Sequence, residues 1–296
     1  MVTARSTGER IFEVFNIVFM VLLGFATLYP FWYVLVASFN LGSDFARGGV
    51  YFWPRAFTLE NYNKALEDPR IYSSLVISVS RTAIGTVISL FFTILASYAV
   101  IQDKMPFRTA FTFFWYFTTL FGGGMIPYYM LLRSLGLTQS FLLYIIPGIY
   151  SFFNMVLMRT YFRTIPLELA ESAQMDGAGH DRILFQIYLP LATPVLATLT
   201  LFVGVGHWND WFTAAYYQSR EELFPAATVL QRLLMQAVRP LAIPGRESIY
   251  DELMRTWTPL SMQMAFVMCL TMPIVLVYPF LQKYYVRGVM IGGVKG

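Results

Sequence analysis

Long apolar runs separated by short polar stretches set the pattern of this chain. A helix needs about 20 mostly apolar residues to cross the core of a bilayer. Six runs reach that length, at about 11–39, 72–101, 108–132, 141–161, 189–217 and 261–285. The first contains Pro30, which predicts a kink, and the second carries Ser78, Ser80, Thr82, Thr86 and Ser89 on one side. Inside lipid each backbone polar group must find a partner within the protein, so helices are the expected solution. The pattern predicts an all-α polytopic membrane protein with six transmembrane helices. One transmembrane domain is expected to cover residues 1–296.

Three polar stretches interrupt the runs. Residues 40–71 hold Trp53-Pro54 and Asp68-Pro69 and read as an ordered loop with short elements. Residues 162–188 form the second stretch. Residues 218–260 hold Pro225, Pro240, Pro244 and a helical patch near Ala227–Val238. Six spans put both termini on one face. Lysine and arginine are slightly denser on that face, which places the termini in the cytoplasm. Loops 40–71 and 218–260 are then external and loop 162–188 cytoplasmic. The first apolar run is too long for a signal-peptide core and lacks a small-x-small cleavage site, so it reads as a retained span.

Composition narrows the function. Hydrophobic residues make up 57% and charged residues 13%, against about 25% charged in soluble domains. Lipid is the expected solvent. The net charge of +4 is scattered, which argues against a nucleic-acid partner. A lone cysteine, Cys269, excludes an internal disulfide, and two histidines, His180 and His207, argue against a metal centre. None of Lys64, Lys104, Lys283 and Lys295 sits in a phosphate-binding loop. If ATP is used, another chain must bind it. An intramembrane enzyme would need a catalytic constellation, and the spans show no carboxylate pair, nucleophile–histidine set or metal triad. A stand-alone secondary transporter usually carries internal repeats, and no repeat is evident.

Loop 162–188 has the most to say. Pro166 and Glu168 suit a first helical turn. Leu167, Ala170, Ala173 and Gln174 then share one face, with small side chains in the middle. Asp176-Gly177 ends that helix, because glycine accepts the left-handed conformation. A second amphipathic stretch (Ile183, Leu184, Ile187, Tyr188) leads to Pro190 and the fifth run. The product is a short helix lying across the membrane surface. It is either a docking element for a soluble partner or an ordinary amphipathic connector.

The residues themselves favour the first. Glu171-x-Ala173-x-x-Asp176-Gly177-Ala178, followed by Phe185-x-Ile187-x-Leu189-Pro190-Leu191 and Pro194, resembles the EAA motif of ABC importer permeases, with Ser172 in place of an alanine. Trp53-Pro54 and Phe57–Tyr62 look like the first external loop of carbohydrate-uptake permeases of the MalG-like group. Phe121–Pro127, Leu135–Leu137, Trp208–Phe212 and Gln282–Gly296 are similar to its LplC/YtcP branch. The resemblance implies a MetI/MalG-like permease fold and uptake of oligosaccharides, alginate or other polysaccharide fragments among them, with a non-sugar solute as the alternative. It implies a heterodimer with a homologous second permease, two ATPase subunits that hold ATP and magnesium, an extracytoplasmic solute-binding protein, and a place in the bacterial inner membrane. This chain would bind no cofactor. Glu171, Ser172, Ala173, Asp176, Gly177 and Ala178 would form the coupling helix that docks on the ATPase. Loop 218–260 would reach toward the binding protein, and the tail after Arg287 toward the ATPase.

Other positions carry weaker signals. Arg81 and Asp210 are the clearest ionisable residues within the apolar runs, and charges there are costly and often functional. They are expected to pair or to line the transport pathway; otherwise each meets a different partner. Gly122-Gly123-Gly124 acts either in helix breaking and close packing or as a hinge. Tyr98, Tyr128, Tyr129, Trp208 and Trp211 can stack on sugar rings, or belong to the aromatic belts of the membrane interfaces.

Overall fold

The computed structural model describes residues 7–237 and 258–292. In chain order the helices are α1 (Thr7–Ser38), α2 (Gly42–Ala46), α3 (Glu60–Glu67), α4 (Pro69–Ile101), α5 (Arg108–Leu120) and α6 (Met125–Ser134). After two 3-10 turns, Leu137–Gln139 and Phe141–Tyr144, follow α7 (Phe152–Phe162), α8 (Leu167–Met175) and α9 (His180–Ile183). A π turn at Leu184–Tyr188 leads into α10 (Leu189–Leu191), α11 (Thr193–Asn209), α12 (Phe212–Tyr217), α13 (Ala226–Ala237) and α14 (Pro259–Gly292). Among the described residues, the one β pairing is an isolated bridge between Asn40 and Phe57.

Three of the expected spans are single helices. Gly8–Ser38, Pro69–Ile101 and Pro259–Pro279 are each long and apolar enough to cross a membrane. The other three apolar runs are not single helices, and each break has a local cause. The run 108–132 is two helices, because Phe121–Gly124 leaves the helical path and Gly124 adopts φ +82°. Few residues other than glycine tolerate that conformation. The run 141–161 becomes helical only at Phe152, after Pro147-Gly148, where the Ser151 hydroxyl accepts the Asn154 N–H at 3.3 Å. The run 189–217 turns by 82° at Ala192, between Pro190 and Pro194, and breaks again at Asp210. Helices His180–Leu191 and Thr193–Asn209 together form a fourth candidate span.

The described residues fall into two compact units. Among them, the first takes in residues 7–68, 233–237 and 258–271. Its ordering device is a pair of fully buried asparagines. Asn61 Nδ2 donates to the carbonyls of Ser38 (2.9 Å) and Asn40 (2.8 Å), and Ser261 Oγ donates to Asn61 Oδ1 at 2.8 Å. Ser38 ends α1, where carbonyls lack helical partners. Asn40 Oδ1 accepts the N–H groups of Arg55 (2.8 Å) and Ala56 (3.1 Å), and its amide donates to Asp44 at 2.9 Å. That hydrogen bond, joined by Arg55, holds the Asp44 carboxyl below its ordinary value against partial desolvation. Its contribution is therefore present above the usual carboxylate range and lost as pH falls through the depressed value. Residues 40–71 thus form an ordered loop over Val36, Ala37, Phe45 and Val50. In the stretch 218–260, α13 occupies the expected helical patch. Residues 238–257, with Pro240 and Pro244, lie outside the described residues.

The second unit takes in residues 69–232 and 272–292. Here α4 is the spine, packed against α11 and α7. Its buried stripe runs Ser74, Ser78, Arg81, Gly85, Ser89, Thr93 and Ser97, at helical spacing. The opposite face exposes Val76, Val79, Val87, Phe91 and Phe92. Small and polar residues inside with large apolar residues outside is the arrangement expected of a helix solvated by lipid. The stripe also makes bonds. Ser97 Oγ donates to Thr93 O (2.6 Å) and Met155 O (3.1 Å), and Ser78 Oγ accepts the Ala226 N–H at 2.8 Å. The C-terminal motif from Gln282 continues α14 to Gly292, and residues 293–296 lie outside the described residues.

Replacing Asn61 by Ala orphans the Ser38 and Asn40 carbonyls, while the Ser261 hydroxyl keeps its bonds to Thr258. Each buried group left unpaired costs about 1–3 kcal/mol. A clearly lowered melting temperature of the detergent-solubilised protein is the expected result, read by tryptophan fluorescence.

Candidate functional site

Asp210 stands where α11 ends and α12 begins. Three of its acceptors are used. Its Oδ1 accepts the Thr213 N–H at 3.0 Å, capping α12. Its backbone carbonyl accepts a hydrogen bond from Arg81 Nη1 at 2.8 Å, and its Oδ2 forms an ion pair with Arg81 Nη2. Arg81 projects from the inner stripe of α4 and is 3% exposed. Its guanidinium also lies over the Tyr144 ring, 4.6 Å from the centroid, and the Tyr144 hydroxyl donates to Leu223 O at 2.7 Å. One cation therefore ties together α4, the break between two helices, and the 3-10 turn that carries Tyr144. A planar guanidinium suits this, because two parallel donors can serve a carboxylate and a carbonyl at once.

The ion pair lines a polar cavity of about 380 Å³ in the second unit, together with His207, Tyr128, Tyr150 and Asn154. His207 lies one helical turn before Asp210. Its ring is packed so closely on α4 that a Cβ at Gly85 would meet it at 2.6 Å. Glycine at 85 is thus a requirement of close approach. Of the aromatics that the sequence offers for sugar stacking, only Tyr128 lines this cavity. Trp208 is buried in an apolar groove beside Val79 and Pro273. Trp211 packs on Phe212 and Tyr216. Tyr129 packs against the cluster around Leu132 and Tyr144. Tyr98 lies in a different core, described next.

Loop 162–188 forms the second feature. α8 covers Leu167–Met175, and Gly177 at φ +83° turns the chain. The Gly177 N–H bonds Gln174 O (3.0 Å) and the Ala178 N–H bonds Ala173 O (2.9 Å), which closes the helix end. Ala170 is buried, and Ala173 and Ala178 pack against the same core: Ile94 and Tyr98 of α4, Met158 and Phe162 of α7, Ile183, Leu184, Tyr188 and Leu199. The Tyr98 hydroxyl lies 3.2 Å from His180 Nδ1, joining α4 to the loop. The other face of α8 is open. Glu171, Ser172, Asp176 and Gly177 are exposed, as are the large apolar side chains of Leu167, Leu169 and Met175, the last 89% exposed.

Sequence reasoning placed the loop helix and its glycine turn correctly. It missed the clamp role of Tyr144, the contact of His207 with Gly85, and the Tyr98–His180 link. The His207–Asp210 spacing of one turn was the available signal for the second. The others join residues about 60 to 80 positions apart and leave no local trace. Among the described residues, no group of three or more metal-ligating side chains occurs.

Comparison with known proteins decides the family. No family model matches the chain. The chain is 34% identical over 294 residues to protein LplC of Bacillus subtilis, covering 99% of this chain and 97% of LplC. It is 32% identical over 290 residues to the Bacillus subtilis polygalacturonan/rhamnogalacturonan transport system permease protein YtcP, covering 97% and 99% of the two chains. The chain belongs to the ABC transporter permeases, in the LplC/YtcP branch. The fold agrees. A chain in the crystal structure of a bacterial ABC transporter involved in the import of the acidic polysaccharide alginate superposes with a TM-score of 0.86 and 31% identity, covering 96% of the permease and 100% of that chain. The permease is accordingly a multi-pass inner-membrane subunit of a transporter, and the enzyme and stand-alone transporter alternatives fall away.

Two substitutions test the clamp. Arg81→Ala leaves the Asp210 carboxylate and carbonyl unpaired, and breaking a buried pair costs about 3–5 kcal/mol. Asp210→Asn keeps the backbone acceptor and the Tyr144 contact, so its loss of thermal stability is expected to be clearly smaller. Equal losses would contradict the clamp geometry. Gly85→Ala is expected to displace the His207 ring, with a stability loss of about 1–3 kcal/mol that Gly85→Ala/His207→Ala partly recovers in thermal melts.

Proposed function

We propose that this permease is one membrane subunit of a binding-protein-dependent importer of oligosaccharides, working by alternating access. ATP and magnesium are held by two separate ATPase subunits, and a homologous second permease completes a heterodimer. A solute-binding protein delivers substrate on the outer side, and both termini face the cytoplasm. The observation that carries this reading is the form of α8. One face is anchored in the core between α4 and α7, and the other presents Leu167, Leu169, Met175 and Glu171 to the aqueous side. Exposed apolar side chains beside charged ones on a surface helix suit docking into a soluble protein. Glu171, Ser172, Ala173, Asp176, Gly177 and Ala178 are the docking turn in this reading. The polar cavity at Arg81, Asp210 and Tyr128 belongs to the pathway.

The substrate class draws on the relatives. YtcP is named for polygalacturonan and rhamnogalacturonan, and the solved neighbour for alginate. Uronate oligosaccharides are therefore the first probes, with neutral maltooligosaccharides and a non-sugar solute as comparisons.

Gly177→Trp forces a bulky residue into a left-handed conformation, at roughly 1–2 kcal/mol for the backbone alone. Glu171→Lys reverses an exposed charge on this helix. Both variants are expected to insert in the membrane normally. In reconstituted transporter, binding-protein-stimulated ATP hydrolysis is expected to fall at least tenfold in each. Unchanged stimulation in both variants would refute the docking role.

A further inference from the structure

A groove in the second unit, apart from the polar cavity and the exposed face of α8, has a composition that neither explains. It encloses about 360 Å³ between α5 and α7 and is lined by Arg108, Arg159, Phe113, Tyr116 and Phe152, among others. Arg108 is the first residue of α5, and Arg159 lies in the last turn of α7, so both arginines stand at the membrane end where loop 162–188 begins. Arg163, which caps α7, lies within electrostatic reach of Arg159, as does Arg108. Two arginines, Arg108 and Arg159, therefore share one rim of the groove. Arg159 has no acidic partner among the described residues, and its Nε is buried without a hydrogen bond. Arg108 is paired with Asp103, whose side chain is 90% exposed. Such a solvated pair is readily exchanged for a better anion. The rest of the groove is aromatic: Tyr116 and Phe152 are in ring contact at 5.6 Å, and Phe113 is 64% exposed on the outer surface.

A cationic rim at the membrane end above an apolar wall matches one kind of molecule. Basic pockets between membrane helices bind anionic headgroups, and aromatic walls accept acyl chains. We propose that this groove binds one anionic phospholipid, with Arg108 and Arg159 on its phosphate and Phe113, Tyr116 and Phe152 along an acyl chain. Water or a zwitterionic lipid would leave the Arg159 charge without an anion.

Native mass spectrometry of the assembled transporter tests this. The complex is purified in mild detergent and incubated with phosphatidylglycerol, phosphatidylcholine or glycerol phosphate. Phosphatidylglycerol is expected to be retained, and the Arg108→Gln/Arg159→Gln variant to lower its retention roughly tenfold. Arg159→Lys is expected to keep most of it. If the double variant does not assemble, Arg108→Gln alone, at the start of a helix, is expected to lower retention severalfold. Equal retention of phosphatidylcholine, displacement by glycerol phosphate, or unchanged retention in the arginine-to-glutamine variants would each overturn the proposal. Displacement by glycerol phosphate would mark a site for a soluble phosphate.

Discussion

The Arg81 guanidinium satisfies a helix break that lipid alone would not allow. α11 stops at Asn209 and α12 starts at Phe212, and the carbonyl at the join needs a donor. In water the solvent would supply it. Inside a bilayer it comes from the protein or from a polar cavity. Arg81 supplies it, pairs with the Asp210 carboxylate, and rests its own charge on the Tyr144 ring. Asp210 in turn caps α12. Remove the cation and a carboxylate, a carbonyl and a ring face all lose their partner. The ion pair is thus the element that lets an irregular chain run through a membrane protein and leave a polar cavity beside it.

The same demand explains the composition of α4. Its inner stripe of serines and threonines carries hydrogen bonds to neighbouring backbone, and its glycine at 85 admits the His207 ring. Its outer face is valine and phenylalanine. At its other end the stripe gives way to Ile94 and Tyr98, which grip the loop through Ala170, Ile183 and Tyr188. One helix therefore meets both the polar cavity and the core under α8.

How much of this could be read from residues alone depends on range. Local rules located α8 and its end, because proline, acidic and glycine signals act over a few positions and Gly177 does adopt a left-handed φ. Hydropathy found the long helices but merged α5 with α6 and extended α7 backward. Averaging over about 20 residues hides a Gly122–Gly124 break or a Pro147-Gly148 break inside an apolar run. The charges of Arg81 and Asp210 stood out because both sit among apolar residues, but their bidentate geometry and the ring of Tyr144 are tertiary facts. The aromatic candidates separated for the same reason. Tyr128 faces the cavity while Trp208 and Trp211 pack elsewhere, and nothing in the local sequence distinguishes them.

The bend at Ala192 sets the path of the chain between the loop and the ion pair. The arm before it, His180–Leu191, is bound to α8 through the shared core, and the arm after it is α11, with 82° between them. Ala192 is fully buried at the corner. Two helical arms thus meet near a right angle at a buried corner, the shorter one carrying the π turn Leu184–Tyr188. α11 has 17 residues, about 25 Å at helical rise, and its far end is the Asp210 junction. One bent stretch of backbone therefore runs from the core under α8 to the place where the ion pair sits.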